Sequence, residues 1–103
     1  MIKGTTPTLH FNLPIETSTI KAAEIVLQYV DNAKTVTIER TMSECIVGER
    51  SIAAVLTQEE TLALPAPAIA KVQIRVLTVD ELALASPSFE VSIKELLKEG
   101  VIA

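Results

Sequence analysis

The chain has 103 residues, the length of one ordinary domain, with 49% hydrophobic residues, only 3% aromatic residues and a formal net charge of −4. Its nine Lys and Arg residues are scattered, which argues against nucleic acid and against an anionic membrane surface, since both require clustered cations. No run approaches the ~18 apolar residues of a membrane helix, and the single cysteine, Cys45, excludes an intrachain disulfide.

A reducing compartment therefore suits the chain, and the first seven residues lack the apolar stretch of a signal peptide. The apolar content is Val, Ile, Leu and Ala. That is more aliphatic material than a small single core needs, and part of it is expected to cover a partner subunit.

The dominant sequence period is two. Residues 8–13 alternate, with Leu9, Phe11 and Leu13 on one face and Pro7 and Pro14 at the ends. Proline cannot donate to a ladder, so this reads as an edge strand. Residues 23–30 form a second strand with Ile25, Leu27 and Tyr29 on one face, ending at an Asp31-Asn32 turn. Residues 35–40 form a third, with Val36 and Ile38 inward. Residues 45–47 make a short fourth strand, and residues 51–56 a fifth with Ile52, Ala54 and Leu56 on one side.

Thr57 and Glu60 then have capping-box spacing, which predicts one helical turn, and Thr41 and Glu44 share that spacing. Pro65-Ala66-Pro67 interrupts regular structure. Residues 70–78 are the clearest strand, with Val72, Ile74 and Val76 facing one way and Lys71, Gln73 and Arg75 the other. After a turn at Asp80-Glu81, residues 88–93 form the last strand, with Phe89, Val91 and Ile93 inward. Residues 94–99 read as a helical turn stopped by Gly100, and Val101-Ile102-Ala103 is an apolar tail.

About seven short strands over the chain predict a single all-β domain, an antiparallel β-sandwich with one or two short helical turns, spanning residues 1–103. The competing pattern is a small α+β domain in which residues 20–30 form a helix.

Chemistry-bearing constellations are sparse. Cys45 and His10 are the only thiol–imidazole candidates, and Cys45 beside Ile46 and Val47 reads as a small buried hydrophobe. One His and one Cys are too few for a zinc site, two aspartates too few for a calcium loop, and three glycines do not make a phosphate cradle. Glu59-Glu60 and Asp80-Glu81 read as solvated turns. The Lys71, Gln73, Arg75 stripe reads as the wet face of an amphipathic strand. With no Trp and one Tyr, an aromatic sugar platform is weakly supported. No enzymatic activity, cofactor or metal is expected.

Three segments together carry a resemblance: Gly4-Thr5-Thr6-Pro7-Thr8-Leu9-His10-Phe11-Asn12-Leu13-Pro14, Leu56-Thr57-Gln58-Glu59-Glu60-Thr61-Leu62, and Val72-Gln73-Ile74-Arg75-Val76-Leu77-Thr78-Val79-Asp80 with Leu82-Ala83-Leu84-Ala85-Ser86. Their order resembles a family of short structural proteins, about 100 residues long, from tailed phages and prophages of Gram-positive bacteria. The strand grammar is also similar to the immunoglobulin-like domain that begins siphophage upper baseplate proteins. Where that small family places a glycine after Asp80, this chain carries Glu81, and its Pro65-Ala66-Pro67 stretch is atypical.

The resemblance implies an immunoglobulin-like sandwich acting as a virion structural or assembly component of head, neck, tail or baseplate, made in the bacterial host cytoplasm. Its expected partners are other virion proteins or further copies of itself, and it supplies no catalytic residue. The candidate contacts are Leu9, Phe11 and Leu13 on the edge strand and Leu96, Leu97, Val101 and Ile102 in the C-terminal segment. The alternative is a host-surface or saccharide-binding module.

Overall fold

Alternation decides the larger of two sheets. In the computed structural model, which describes residues 1–102, strand β2 (Ile20–Asp31) buries Ala23, Ile25, Leu27 and Tyr29 and turns the residues between them outward. An inward row with this spacing needs a pleated strand, because a helix would spread it around the axis. Residues 20–30 are accordingly strand and not helix, and the strand begins three residues before the pattern alone placed it.

Strand β1 (Thr8–Asn12) precedes β2. Next come β3 (Lys34–Thr41), β4 (Ile46–Val47), β5 (Ser51–Val55), helix α1 (Gln58–Leu62), β6 (Ala68–Thr78), β7 (Ala83–Ala85) and β8 (Phe89–Ile93). Single 3-10 turns occupy Thr17–Thr19 and Met42–Glu44.

The strands form two antiparallel sheets. One has the order β1-β5-β4; the other has β3-β2-β6-β7, with β8 also on β6. This is an immunoglobulin-type arrangement: β1, β5 and β4 take the B, E and D places, and β3, β2, β6 and β7/β8 take C′, C, F and G. The two sheets share one core. Ile52, Ala54 and Leu56 come from the smaller sheet, Ile25, Leu27, Ala70, Val72 and Ile74 from the larger, and Leu64 and Ile93 close one end.

Strands β7 and β8 are one edge strand broken by a bulge. Between the pairs Arg75–Ala85 and Val72–Phe89, β6 advances three residues and its partner four. Ser86 stabilises the break. Its N–H donates to the Ile74 carbonyl at 3.0 Å, and its Oγ accepts from the Ile74 N–H at 3.2 Å. Its carbonyl accepts from Gln73 Nε2 at 2.7 Å. Pro87, which has no N–H to offer, sits where none is needed.

Two turns hold L-residues in the left-handed region. The β2–β3 hairpin closes through Asn32 and Ala33, at φ 50 and 65, a two-residue turn in which both central residues need positive φ. The β6–β7 turn has Glu81 at φ 65; its N–H bonds the Thr78 carbonyl at 3.0 Å, while Leu82 N–H bonds Thr78 Oγ1 at 3.0 Å. That is a three-residue loop whose last position normally favours glycine. Glu81 thus occupies a left-handed site without being glycine.

Three sequence expectations are corrected. Residues 94–99 are irregular, with a bend at Leu97-Lys98, and not a helical turn, because Lys94 is drawn into backbone pairing with the N-terminus: its N–H bonds Met1 O at 2.8 Å, and its carbonyl accepts from Lys3 N–H at 3.1 Å. Cys45 lies outside the fourth strand, whose pairing starts at Ile46. Phe89 points toward the interior as its parity requires but remains 44% exposed, since it lies on an edge strand at an unclosed side of the sandwich.

Replacing Ala33 or Glu81 by glycine should relieve left-handed strain and raise stability by roughly 0.5–1 kcal/mol each. Urea unfolding followed by circular dichroism measures this directly. A fall in the midpoint would show that neither backbone is strained.

Candidate functional site

The sandwich is open along one side. There, β1 is the edge of the smaller sheet and β7/β8 the edge of the larger, and among the described residues no strand bridges them. Phe11 and Phe89 meet across the gap at 5.6 Å between ring centroids, tilted by 54°. Above them is an apolar groove of about 230 Å³ lined by Phe11, Leu13, Ile15, Ile74, Val76 and Leu84. Leu84 is half-exposed at its rim, and Leu82 beyond it is more open still.

The lower part of this side is occupied by the chain's own N-terminus. Ile2 bridges Lys94 in parallel, and the Met1 ammonium donates to Ser92 O at 2.8 Å. A parallel partner for the last strand thus exists at one end only, and above Ser92 the outer edge of β8 has no strand beside it among the described residues.

The C-terminal segment, residues 94–102, is strapped across the lower pole. Lys3, 9% exposed, makes an ion pair with Glu99. Leu96 packs over Gly4 and Leu62, and a Cβ added at Gly4 would sit 2.5 Å from Leu96 Cδ1. Gly4 also has φ +78, so both space and backbone demand glycine there. Gln58 holds the Ile102 backbone from both sides: its Oε1 accepts from Ile102 N–H at 2.5 Å and its Nε2 donates to Ile102 O at 3.5 Å. The anchored segment turns its other apolar side chains outward, with Leu97 at 109%, Val101 at 55% and Ile102 at 84% exposure.

This geometry sorts the seven candidate contacts. Phe11 is 7% exposed and belongs to the chain's own core, so its side chain is withdrawn from the contact set. Leu9 and Leu13 are half-buried against that core, and Leu13 lines the groove. Leu96 caps its own chain. Leu97, Val101 and Ile102 face solvent. Sequence reasoning missed Leu84, Ile74 and Val76 as groove walls, and Lys3, Gly4 and Gln58 as anchors. The Ser86-Pro87 break inside an apolar run was the one local sign of an irregular edge.

The remaining polar features are internally satisfied. Arg75 donates to Glu24 at 2.9 Å, and Lys71 lies between Gln28 and Glu90 in the ladder, so the Lys71, Gln73, Arg75 stripe is a paired outer sheet face. Beside it, a shallow depression of about 650 Å³ has Ala22, Ala83 and Ala85 in its lining along with that ion pair. Cys45 Sγ donates to Thr41 O at 3.2 Å, and burial, with the Glu44 charge beside it, pushes the thiol pKa up. A thiol held protonated is a poor nucleophile. His10 is exposed on β1, in the row of Ala53 and Ile46, two strand spacings or roughly 10 Å from that of Ile46. Cys45 packs against the core, so the two do not meet. Among the described residues no group of three or more His, Cys, Asp or Glu side chains is placed to hold a metal ion. No helix among them is long and apolar enough to cross a membrane.

Helix α1 beside the strap is fixed by its own cap. Thr57 Oγ1 accepts from Glu60 N–H at 3.1 Å, and Glu60 Oε1 accepts from Thr57 N–H at 2.8 Å and pairs with Arg40. Burial pushes the Glu60 carboxyl up. The Arg40 guanidinium and the Thr57 N–H outweigh it and hold the pKa below the ordinary 4.5.

Comparison with protein-family models, with curated proteins and with solved structures finds no match to this chain.

Because Glu60 is more acidic folded than unfolded, its contribution is complete above about pH 4.5 and is lost as pH falls through the lower folded value. Glu60→Gln should therefore cost about 1–2 kcal/mol at pH 7 and flatten the acid limb of the stability curve. An unchanged acid limb would remove Glu60 from the account. Independently, Gly4→Ala should unseat Leu96 and speed tryptic cleavage at Lys94 and Lys98 severalfold while the far-UV spectrum stays that of β-sheet. Cleavage at the wild-type rate would show that the strap is not held there.

Proposed function

We propose that this protein is a non-enzymatic structural component of a tailed-phage or prophage virion, present in many copies and docking through strand edges and its apolar C-terminal segment. The observation that carries the reading is the distribution of apolar surface. Leu82, Leu84 and Phe89 line one open edge, and Leu97, Val101 and Ile102 stand on an anchored segment. A small domain that presents aliphatic side chains on a fixed segment, and no convergent polar groups, is built for contact with protein. Repetition by symmetry makes such small contacts firm. The three-segment resemblance to short phage structural proteins supplies the virion context.

A saccharide-binding role finds less support. Such sites use exposed aromatic faces. Here Phe11 and Tyr29 are buried, and Phe89 stacks into the seam.

The test is mass spectrometry of particles purified after induction of a genome carrying this chain. The protein should appear at a fixed ratio to the other structural proteins. Its absence from intact particles would overturn the proposal.

A further inference from the structure

Among the described residues no element packs over the outer face of the larger sheet: Ala22, Gln28, Val30, Ile69, Lys71 and Arg75 are all exposed there. Rows of side chains cross this face. Glu24 stands beside Arg75 and Gln28 beside Lys71, with Val26 and Gln73 between them. Two positions beyond Gln28 and Lys71, the strands present Val30 and Ile69, exposed at 62% and 59%. At the other end Ala22 stands beside Leu77. Between Ala22 and Val30, β2 thus carries an acid and no base, whereas the outward residues of β6 include Lys71 and Arg75 and no acid. The outer strands add Glu39, beside Val26, and Glu90, beside Lys71.

From this pattern we infer that the outer face of the larger sheet docks on the same face of a second copy, about a two-fold axis running along the strands between β2 and β6. The inference deepens the assembly reading, on which it rests for its setting, by naming one partner and one surface. That axis lays β2 of each copy on β6 of the other. Glu24 of one copy then faces Arg75 of the other, twice over. The intrachain bond between Arg75 and Glu24, 2.9 Å, is kept, so four charges alternate in sign around the axis. A network of this kind contributes more than an isolated surface pair. In the other rows Gln28 faces Lys71, Val30 faces Ile69 and Ala22 faces Leu77, while Glu90 faces Thr37 and Glu39 faces the Ser86 stretch. No like charges meet. Aligned packing of two sheets, within about 30°, keeps the central rows opposed.

Charge selects this axis over the alternatives. An axis across the strands lays β6 on β6, where Arg75 meets Arg75, Lys71 or an uncharged side chain and never an acid. An axis along the strands but over β2 lays Glu24 on Glu24, and one over β6 lays Arg75 on Arg75. Covering charges without an opposite partner is costly. There is also room for the chosen arrangement. Ala22, Ala83 and Ala85 line the depression of about 650 Å³ that surrounds the Glu24–Arg75 pair, so long side chains can meet between sheets that pack about 10 Å apart. The face is four strands wide and runs from Ala22 to Val30. Its footprint is about 19 by 27 Å, on the order of 500 Å² per copy and about 1,000 Å² for the pair, the lower limit of a specific interface. The dimer is therefore weak, with a dissociation constant on the order of 10–100 µM.

Sedimentation velocity on the purified chain from about 1 µM to 1 mM tests this. The wild type should reach a dimer and stop there, because the contact is isologous and closes on itself. Arg75→Glu alone and Glu24→Arg alone should each weaken the dimer at least about tenfold, since each gathers like charges at the axis. Mixed, the two single variants should form a 1:1 pair, because the charges of one complement those of the other. The double variant, Glu24→Arg with Arg75→Glu, should dimerise as the wild type does. A surface pair contributes little to folding, and recovery of pairing on mixing shows directly that both single variants are folded.

In the wild type, the methyl resonances of Val30, Ile69 and Leu77 should shift with concentration while those of Leu84 in the groove stay fixed, a readout that needs no substitution. A wild type that stays monomeric to 1 mM overturns the inference. So does association that either single variant leaves at full strength, a mixture of the two that does not pair, or steady growth past the dimer. Concentration-dependent shifts at Leu84 with none at Val30 and Ile69 would place the contact at the groove and equally overturn it. The assembly reading is judged separately by the presence of the protein in particles. A monomer found in virions would sink this inference and leave that one standing, and a charge-dependent dimer absent from particles would do the reverse.

Discussion

The fold depends on one dry layer, in which Ile52, Ala54 and Leu56 of the smaller sheet face Ile25, Leu27, Val72 and Ile74 of the larger. All of these are nearly or fully buried, and none carries a polar atom beyond the backbone. Each aliphatic side chain removed from water contributes about 1.5–3 kcal/mol, the largest favourable increment this composition has. With so few aromatics the chain fills that layer with branched aliphatics, whose stiff χ1 suits a pleated surface. The buried polar side chains are accommodated around it. Thr61 at 0% exposure bonds the Thr5 carbonyl at 2.6 Å, and Thr17 bonds Gly48 O at 2.6 Å. No buried side-chain polar atom among the described residues lacks a partner.

That layer is bounded on one side by the edge strands β3 and β4. At the other, the chain covers the lower part of the gap with its N-terminus and leaves the upper part as a groove. The same topology explains why large apolar side chains are exposed where they are. Phe89 and Leu84 have the inward parity of a core residue and half the burial of one. A sheet edge exposed in this way normally invites uncontrolled pairing, and proteins blunt such edges with bulges and proline. The Ser86 bulge and Pro87 do that here, breaking the ladder above Phe89. What remains open is a short, shaped opening and not a long flat edge.

Much of the fold was legible because it is local or periodic. The inward faces of β2, β5 and β6 follow from alternation alone, and the capped turn at α1 from Thr57 and Glu60. What was not legible depended on long-range pairing. Residues 94–99 contain two adjacent leucines between charges, a pattern compatible with a helical turn. A segment that short has little helical stability of its own, and backbone pairing with Met1 and Lys3, more than ninety residues away, decides the outcome. Phe11 failed as a surface residue for a related reason. Edge strands expose their backbone on one side while their inward side chains still enter the core, so an edge position does not make a side chain available. The groove walls were invisible because they come from three separate stretches of chain, whose meeting is a property of sheet order and not of spacing.

The anchoring of the C-terminal segment gives the exposed apolar groups their meaning. Unanchored aliphatic residues would ordinarily collapse onto whatever apolar surface is near. Here that surface is taken by Leu96, which fills the space over Gly4 and Leu62, and the ion pair to the nearly buried Lys3 fixes the direction in which the chain leaves. Burying Lys3 without Glu99 would leave a cation stripped of water and unpaired, so the pair acts as a selector of conformation more than as a source of stability. With Leu96 committed inward and Glu99 committed to Lys3, Leu97 has only solvent before it. The outward grease is therefore a consequence of what holds the strap down, and any partner that covers it meets a surface already set in place.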